Sequence, residues 1–557
     1  MKFAIAASLL LLGSAHSLSV RHHDSIPTAR IKNGTLVGIH SIEYNQDFFL
    51  GVPYAQPPIG NLRFDNPRSL NETWDGAKSV DEYAKSCVGY GSDQWGYEVS
   101  EDCLYLNIVR PSGYEGRALP VAFWIHGGGF YQGGAGDRRY NLSFIVENSV
   151  KIGQPIMAVS TNYRLSGWGF LNSNELMGRG LLNIGLKDQR LAMHWVQENI
   201  ASFGGDPAKV TIWGESAGAA SVGFHLTAFG GRDDELFRAA IMQSGNPISY
   251  RSISSTDFYQ PQFDLVSAAA GCSDSLDQLE CLRAVPFEQM NTVLNNSALD
   301  WDPAVDGDFI RRYGSIQLEQ GEFVKVPIIS GANSDEGASF APQGINTTED
   351  LRASLSAYPP SLVDALLTAY PDDLSTNVIA NLGPTTRPPA YPYGLQFRRA
   401  ASLYGDLVFI AARRRTCSTW AAHGLTAYCY RFNAIPGGIP AEEGVPHFSE
   451  VAFVFNNIAG LGYAENGTGS SKPFEGRSEA YTALSGVMSR SWASFVATGS
   501  VNGWAGREGL EEWPAYEVDD ARDFVWDANV TSYSESDTYR QEGMALISGS
   551  AAGVFKT

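Results

Sequence analysis

Basic clusters are missing from this 557-residue chain. Its 40 Lys and Arg are scattered among 60 Asp and Glu, for a formal charge of −20. Binding to a phosphate backbone needs a basic face, so nucleic acid is excluded as a partner. The acidic excess reads as a solubilising surface, or as a field that draws in cationic substrates. Charged residues are also few, at 18%, against 44% hydrophobic and 12% aromatic residues. That balance rules out a disordered or fibrous chain. No CxxC pair and no Cys/His cluster with zinc-site spacing occurs, so the six cysteines point to disulfides rather than metal. Beyond the N-terminus there is no long apolar run, no hydrophobic C-terminal tail for a lipid anchor and no retention tetrapeptide at Val554-Phe555-Lys556-Thr557. A stable membrane anchor is not expected. Internal repeats and low-complexity linkers are absent too.

What is present at the N-terminus reads as a secretory signal over residues 1–17. Lys2 gives the positive start, Phe3 to Leu12 the apolar stretch, and Ala15-His16-Ser17 a small-x-small cleavage site. The apolar stretch is too short to span a bilayer. Seven N-x-S/T sequons, at Asn33, Asn71, Asn141, Asn295, Asn346, Asn466 and Asn529, fit an exported chain, although some must be chance matches. The expected location is extracellular. Pairing neighbouring cysteines would close short loops at Cys87–Cys103, Cys272–Cys281 and Cys417–Cys429. The third pair is doubtful, because Cys417 falls in a helical pattern and Cys429 in a strand-like run.

Short β-rich apolar runs alternate with helical patterns, which predicts an α/β fold with a mainly parallel central sheet covered by helices. The clearest runs are Val121–Ile125, Ile156–Ser160, Val210–Trp213, Ala239–Met242 and Val326–Ile329. A helix is predicted over Asn183–Asn199, with Leu191, Trp195 and Val196 on one face and Gly204-Gly205 ending it. Pro- and Gly-rich stretches at 358–394 and 434–446 read as surface excursions. Residues 18–557 are therefore expected to form one domain with large insertions.

The strongest chemical signal is Val210-Thr211-Ile212-Trp213-Gly214-Glu215-Ser216-Ala217-Gly218. A β-run enters G-x-S-x-G and a small-residue helix leaves it, the context of a nucleophile elbow. Flanking glycines let strand and helix approach without Cβ clashes, and Ser216 is lifted above the sheet. Upstream, Ile125-His126-Gly127-Gly128-Gly129-Phe130 follows another strand. Glycines there allow backbone N–H groups to approach a developing oxyanion. Gly128 and Gly129, with the amide of Ala217, would give three donors. A dinucleotide loop fails by register, since its third glycine would fall at Gln132.

In α/β-hydrolases the chain order is serine, acid, histidine. Only His423 and His447 lie beyond any plausible acid. His423 sits at a helix C-cap, a structural position, whereas His447 lies in the loop Gly444-Val445-Pro446-His447-Phe448 after a strand-like Tyr428–Phe432. His447 is favoured. For the acid, Val326–Ile329 runs into Gly331-Ala332-Asn333-Ser334-Asp335-Glu336-Gly337. The residues alone do not choose between Asp335 and Glu336.

Taken together, these motifs resemble the type B carboxylesterase/lipase family, which includes cholinesterases and secreted fungal lipases. Gly51-Val52-Pro53-Tyr54-Ala55 with Leu62-Arg63-Phe64 resembles its N-terminal signature, and Glu101-Asp102-Cys103-Leu104-Tyr105-Leu106-Asn107 its second. Phe203-Gly204-Gly205-Asp206-Pro207, Asn162-Tyr163-Arg164-Leu165 and Trp513-Pro514-Ala515-Tyr516 extend the match to roughly residues 40–520. The resemblance implies an α/β-hydrolase fold and puts the acid, a glutamate in a D-E-G context, at Glu336. It puts the histidine at His447 and the oxyanion donors at Gly128, Gly129 and Ala217. It supports the pairs Cys87–Cys103 and Cys272–Cys281 and leaves Cys417–Cys429 unsupported.

The activity so implied is hydrolysis of a small-molecule or lipid ester through an acyl-enzyme, with no cofactor and no metal. One departure bears on the substrate. The 15 residues between Cys87 and Cys103 are short and polar, where the family's lipases carry a long amphipathic lid. A carboxylesterase with little or no lid is expected. The alternatives are an interfacially activated triacylglycerol lipase and a non-catalytic binding protein on the same fold. Trp95 resembles the cholinesterase choline-binding tryptophan only loosely and is expected to pack in the core or line the pocket. Phe130, Tyr131, Phe340 and Phe448 are candidate pocket aromatics, or packing against the sheet.

Overall fold

The computed structural model describes residues 26–557 apart from 249–251, 378, 380–381 and 464–470. The expected signal segment 1–17 and the sequon Asn466 lie outside the described residues. Eleven strands form the main sheet: β1 Ile39–Ser41, β2 Gln46–Pro53, β3 Tyr105–Pro111, β4 Leu119–Ile125, β5 Met157–Thr161, β6 Gly205–Glu215, β7 Ala239–Gln243, β8 Ile328–Asn333, β9 Ala427–Phe432, β10 Arg522–Trp526 and β11 Tyr533–Ser536. Their order across the sheet is β11-β10-β9-β8-β7-β6-β4-β5-β3-β2-β1.

From β5 to β10 every neighbouring pair is parallel, and both edges are antiparallel. The predicted parallel sheet is thus the centre of a larger mixed one. The expected strand at Val326–Ile329 begins later, at Ile328, and runs on to Asn333. Val326 and Pro327 precede the ladder, because proline has no N–H to give a strand.

Alternation along the central strands explains their continuous apolar runs. Val121, Phe123 and Ile125 face one core, while Ala122 and Trp124 face another, and all five are buried. Parallel strands covered on both sides read this way. The first face packs against α2 (Ile184–Asn199) and α3 (Ala217–Gly231); the second packs against α1 (Leu142–Lys151) and α6 (Glu479–Thr498). The predicted helix over 183–199 forms, with Asn183 as its N-cap in the left-handed region. On the second face Trp124 meets Trp213 edge-on at 4.7 Å and Phe455 at 4.9 Å, aromatic packing that fixes β4 beside β6.

Three sequence expectations need correction. The stretch 358–394 is not simply a surface excursion: α4 (Pro360–Ala369) starts with proline in its first turn and buries Val363, Leu366 and Leu367 in a third core. Likewise Ala434, Ile435 and Val445 of 434–446 are buried. The third disulfide does form, joining Cys417 on α5 (Ala411–Ala422) to Cys429 on β9. The helix turns straight back into the neighbouring strand, which brings the two Cα atoms to 6.5 Å, within bridging range. Cys87–Cys103 and Cys272–Cys281 are bonded as well. Of the sequons, Asn71, Asn295 and Asn529 are exposed. Asn33 is buried, its side-chain amide donating to the carbonyls of Leu70 and Glu72, so it offers no nitrogen for a glycan. Among the described residues no helix is long and apolar enough to cross a membrane.

Candidate active site

β6 ends at Glu215 and α3 begins at Ala217, leaving Ser216 alone at the turn with φ 56° and ψ −124°. Such a conformation is strained for a side-chain-bearing residue and persists only where its surroundings hold it. Here the Ser216 N–H donates to the Gln243 carbonyl at 2.9 Å, and the Ser216 carbonyl accepts from the N–H of Ala220. Both flanking glycines are required by space. A Cβ on Gly214 would sit 2.4 Å from the Gly218 backbone, and one on Gly218 only 2.1 Å from the Ile125 carbonyl.

Gly128 and Gly129 take φ 95° and φ 65°, which glycine alone enters freely. With Ser216, Gly127 and His447 they line a cavity of about 480 Å³, a size suited to a small ligand. The amide of Ala217 is the first of α3, at the positive end of the helix dipole.

His447 and Glu336 are 111 residues apart, yet Nδ1 of the imidazole meets Oε2 of the carboxylate at 2.7 Å. Glu336 follows β8 and is fully buried. Its other oxygen accepts from the backbone N–H of Asn333 at 2.7 Å and from Ser244 Oγ at 2.5 Å. A carboxylate held on three sides fixes the tautomer, leaving Nε2 of neutral His447 to act as acceptor. The Phe409 ring stacks on the imidazole at 4.9 Å and the Phe340 ring meets it edge-on at 5.1 Å. The neighbouring Asp335 accepts from the Val445 N–H at 2.9 Å, which ties it to the histidine loop. His423 caps α5, with its ring against Phe323 at 5.2 Å, away from this cavity.

Several residues around the imidazole were not anticipated. Glu215, inside the G-x-S-x-G motif, is buried with Oε1 at 3.3 Å from His447 Nε2. Burial pushes its carboxyl well above the ordinary range, against the pull of His447. Burial alone would lower His447, but the carboxylates of Glu215 and Glu336 outweigh it and push the imidazole up to about 9. Glu450, raised by burial and by Glu336, accepts from Gln243 and Asn333 beneath the site. Its only trace in the sequence is that it follows His447 closely. Burial lowers His126 to about 4, and its ring stacks on Tyr163 at 4.5 Å.

Tyr131, Phe340 and Phe448 line the cavity, but Phe130 turns into the core against Phe170 at 5.1 Å. Trp95 neither packs inside nor lines the cavity; it follows the 3-10 turn Ser92–Gln94 and is 55% exposed. The loop closed by Cys87–Cys103 is pinned to the segment after the glycines. Tyr90 N–H donates to the Tyr131 carbonyl at 2.8 Å, Asp93 N–H to Gln132 Oε1 at 3.0 Å and Gln94 Nε2 to the Gly133 carbonyl at 2.9 Å. Among the described residues no group of three His, Cys, Asp or Glu is arranged to hold a metal ion.

The profile of the carboxylesterase family matches residues 25–545. The chain is 34% identical over 516 residues to secreted lipase 1 of Botryotinia fuckeliana, covering 82% of this chain and 87% of that protein. It is 35% identical over 465 residues to lipase 4 of Diutina rugosa, covering 74% of this chain and 79% of that one. The structure of Aspergillus niger EstA superposes with a TM-score of 0.82 at 28% identity, covering 96% of this chain and 100% of that one. By sequence and by its α/β-hydrolase fold, this chain belongs to the carboxylesterase family and is a carboxylic ester hydrolase.

Proposed function

We propose that the chain is a secreted serine esterase for dissolved esters, in which residues 18–557 form one catalytic domain. Ser216 is the nucleophile, His447 the general base and Glu336 the acid that orients it. The observation that carries this reading is the 2.7 Å contact of His447 with Glu336 beside the cavity that Ser216 lines. His447 takes the Ser216 proton at Nε2 while its Nδ1–H stays on Glu336, and Oγ adds to the ester carbonyl. The oxyanion is held by the amides of Gly128, Gly129 and Ala217. The imidazolium then protonates the leaving alcohol, and the neutral imidazole deprotonates the water that releases the acid. These steps call on no metal or organic cofactor.

Support for a lidless site comes from the pinned Cys87–Cys103 loop. Secretion is supported by the signal-like residues 1–17, the three disulfides and the secreted relative. The relatives named as lipases favour a second reading, an interfacial lipase, and Phe340, 37% exposed at the cavity, would suit a lipid. A binding protein without activity is disfavoured because every catalytic group has a candidate. The test is hydrolysis of p-nitrophenyl esters from acetate to palmitate, below and above their solubility limits, with Ser216→Ala as control. We expect fast turnover of short, dissolved esters and loss of at least about 10³-fold in Ser216→Ala. A rate jump at the solubility limit would favour the lipase, and activity surviving Ser216→Ala would overturn the catalytic assignment.

A further inference from the structure

Phe448 directly follows His447 and holds φ 72°, the left-handed region that an aromatic residue rarely occupies. Such a backbone needs support from outside. The turn behind it is closed by Ser449, whose Oγ and N–H both donate to the Pro446 carbonyl, at 2.6 Å and 3.3 Å. The guanidinium of Arg139 lies over the Phe448 ring, 4.8 Å from the ring centroid. That distance is within the range of a cation–π contact.

Arg139 is itself locked in place. Nε and Nη2 donate to Asp137 Oδ2 at 2.9 Å and 2.6 Å, and Nη2 also donates to Asp93 Oδ1 at 2.6 Å. Asp137 caps the turn Arg138–Tyr140 that carries the arginine. Asp93 belongs to the loop closed by Cys87–Cys103, which also reaches this turn through Tyr97, whose hydroxyl accepts from the Arg138 N–H at 3.2 Å. The side chain of Arg139 is 12% exposed, so the charge is paired and largely out of water.

We infer that Arg139 is a positioning residue for ester hydrolysis: fixed by Asp93 and Asp137, its guanidinium clamps Phe448 and thereby sets the orientation of His447. The disulfide loop, instead of closing over the site, braces its base. Asp335 holds the histidine loop upstream at Val445 and Arg139 holds it downstream at Phe448. Small errors in the placement of a general base carry large rate penalties, so the brace acts on turnover. This rests on His447 being the base.

The test uses the full chain with Arg139→Met, Arg139→Lys, Phe448→Leu and the Arg139→Met/Phe448→Leu double variant, each assayed on p-nitrophenyl acetate. A p-nitrophenyl phosphonate counts intact nucleophiles by its burst, and Ser216→Ala is run beside them. Expected are a fall of about tenfold in kcat for Arg139→Met and for Phe448→Leu, KM within about twofold, a full burst and partial recovery in Arg139→Lys. The double variant should fall no further than either single, since both remove one interaction. Additive losses, an unchanged kcat, or a rise in KM alone would overturn the proposal; the last would make Arg139 a substrate contact. A reduced burst with a lowered Tm would mean a merely structural role and overturn it as well. Activity persisting in Ser216→Ala would instead overturn the serine reading on which the inference rests.

Discussion

Glu215 sets a carboxylate oxygen 3.3 Å from Nε2 of His447, on the opposite side of the ring from Glu336. The imidazole is therefore flanked by two acids, and its protonated form is favoured up to about pH 9. In the proposed mechanism only the neutral ring can take a proton from Ser216.

The acid limb of kcat/KM should accordingly lie on the alkaline side of neutrality, with activity rising as the imidazole deprotonates. Where Glu215 is ionised beside the imidazolium, Glu215→Gln removes a negative charge facing the ring, which disfavours the imidazolium and moves that limb to lower pH. A pH–rate profile of p-nitrophenyl butyrate hydrolysis for both proteins checks it. An unmoved limb would mean that Glu215 is already neutral in the free enzyme.

Gly128→Ala should impair turnover far more than binding. A Cβ there would lie 2.3 Å from the Gln132 carbonyl, and φ 95° is unfavourable for alanine. The backbone must shift, taking its N–H away from the oxyanion. A loss of about 10²–10³ in kcat with KM little changed is expected from steady-state kinetics. A change in KM alone would remove Gly128 from the oxyanion site.

Stability should depend on a buried charge cluster remote from the catalytic cavity. Arg413 on α5 binds Asp523 at 2.5 Å and Asp537 at 2.7 Å, and all three side chains are essentially inaccessible. Arg413→Leu would leave Asp523 without its cation, while Asp537 would keep Arg414. Breaking such a pair on one side costs about 3–5 kcal/mol, readable from urea unfolding. The same variant, assayed where it is folded, should keep its kcat. A loss within about 0.5 kcal/mol would show that the cluster holds nothing together.

The serine turn was legible because its chemistry and its backbone needs lie within nine consecutive residues. Gly214, Ser216 and Gly218 are dictated by the clearances of one strand–helix turn, and a local pattern records a local constraint. The helix over 184–199 and the central strands were legible for the same reason: period and burial repeat within each segment. The third disulfide was not. A helical Cys417 and a strand-like Cys429 do not announce a pair in the sequence; they meet because α5 and β9 lie side by side.

Sequence by itself determined the α/β alternation, the glycine-lined serine turn, the family and thus ester hydrolysis. Each is written in short-range spacing. From residue chemistry alone the acid stayed open between Asp335 and Glu336. The family motif pointed to Glu336, and tertiary structure brought its carboxylate to His447 while sending Asp335 to the Val445 backbone. Only tertiary structure brought Glu215 to Nε2 and Arg139 to Phe448. Those contacts join residues far apart in the chain, and their partners are set by loops that emerge at the same end of the parallel strands, from strands that are not sheet neighbours. No local pattern encodes that meeting, because each residue's own neighbours would tolerate other choices.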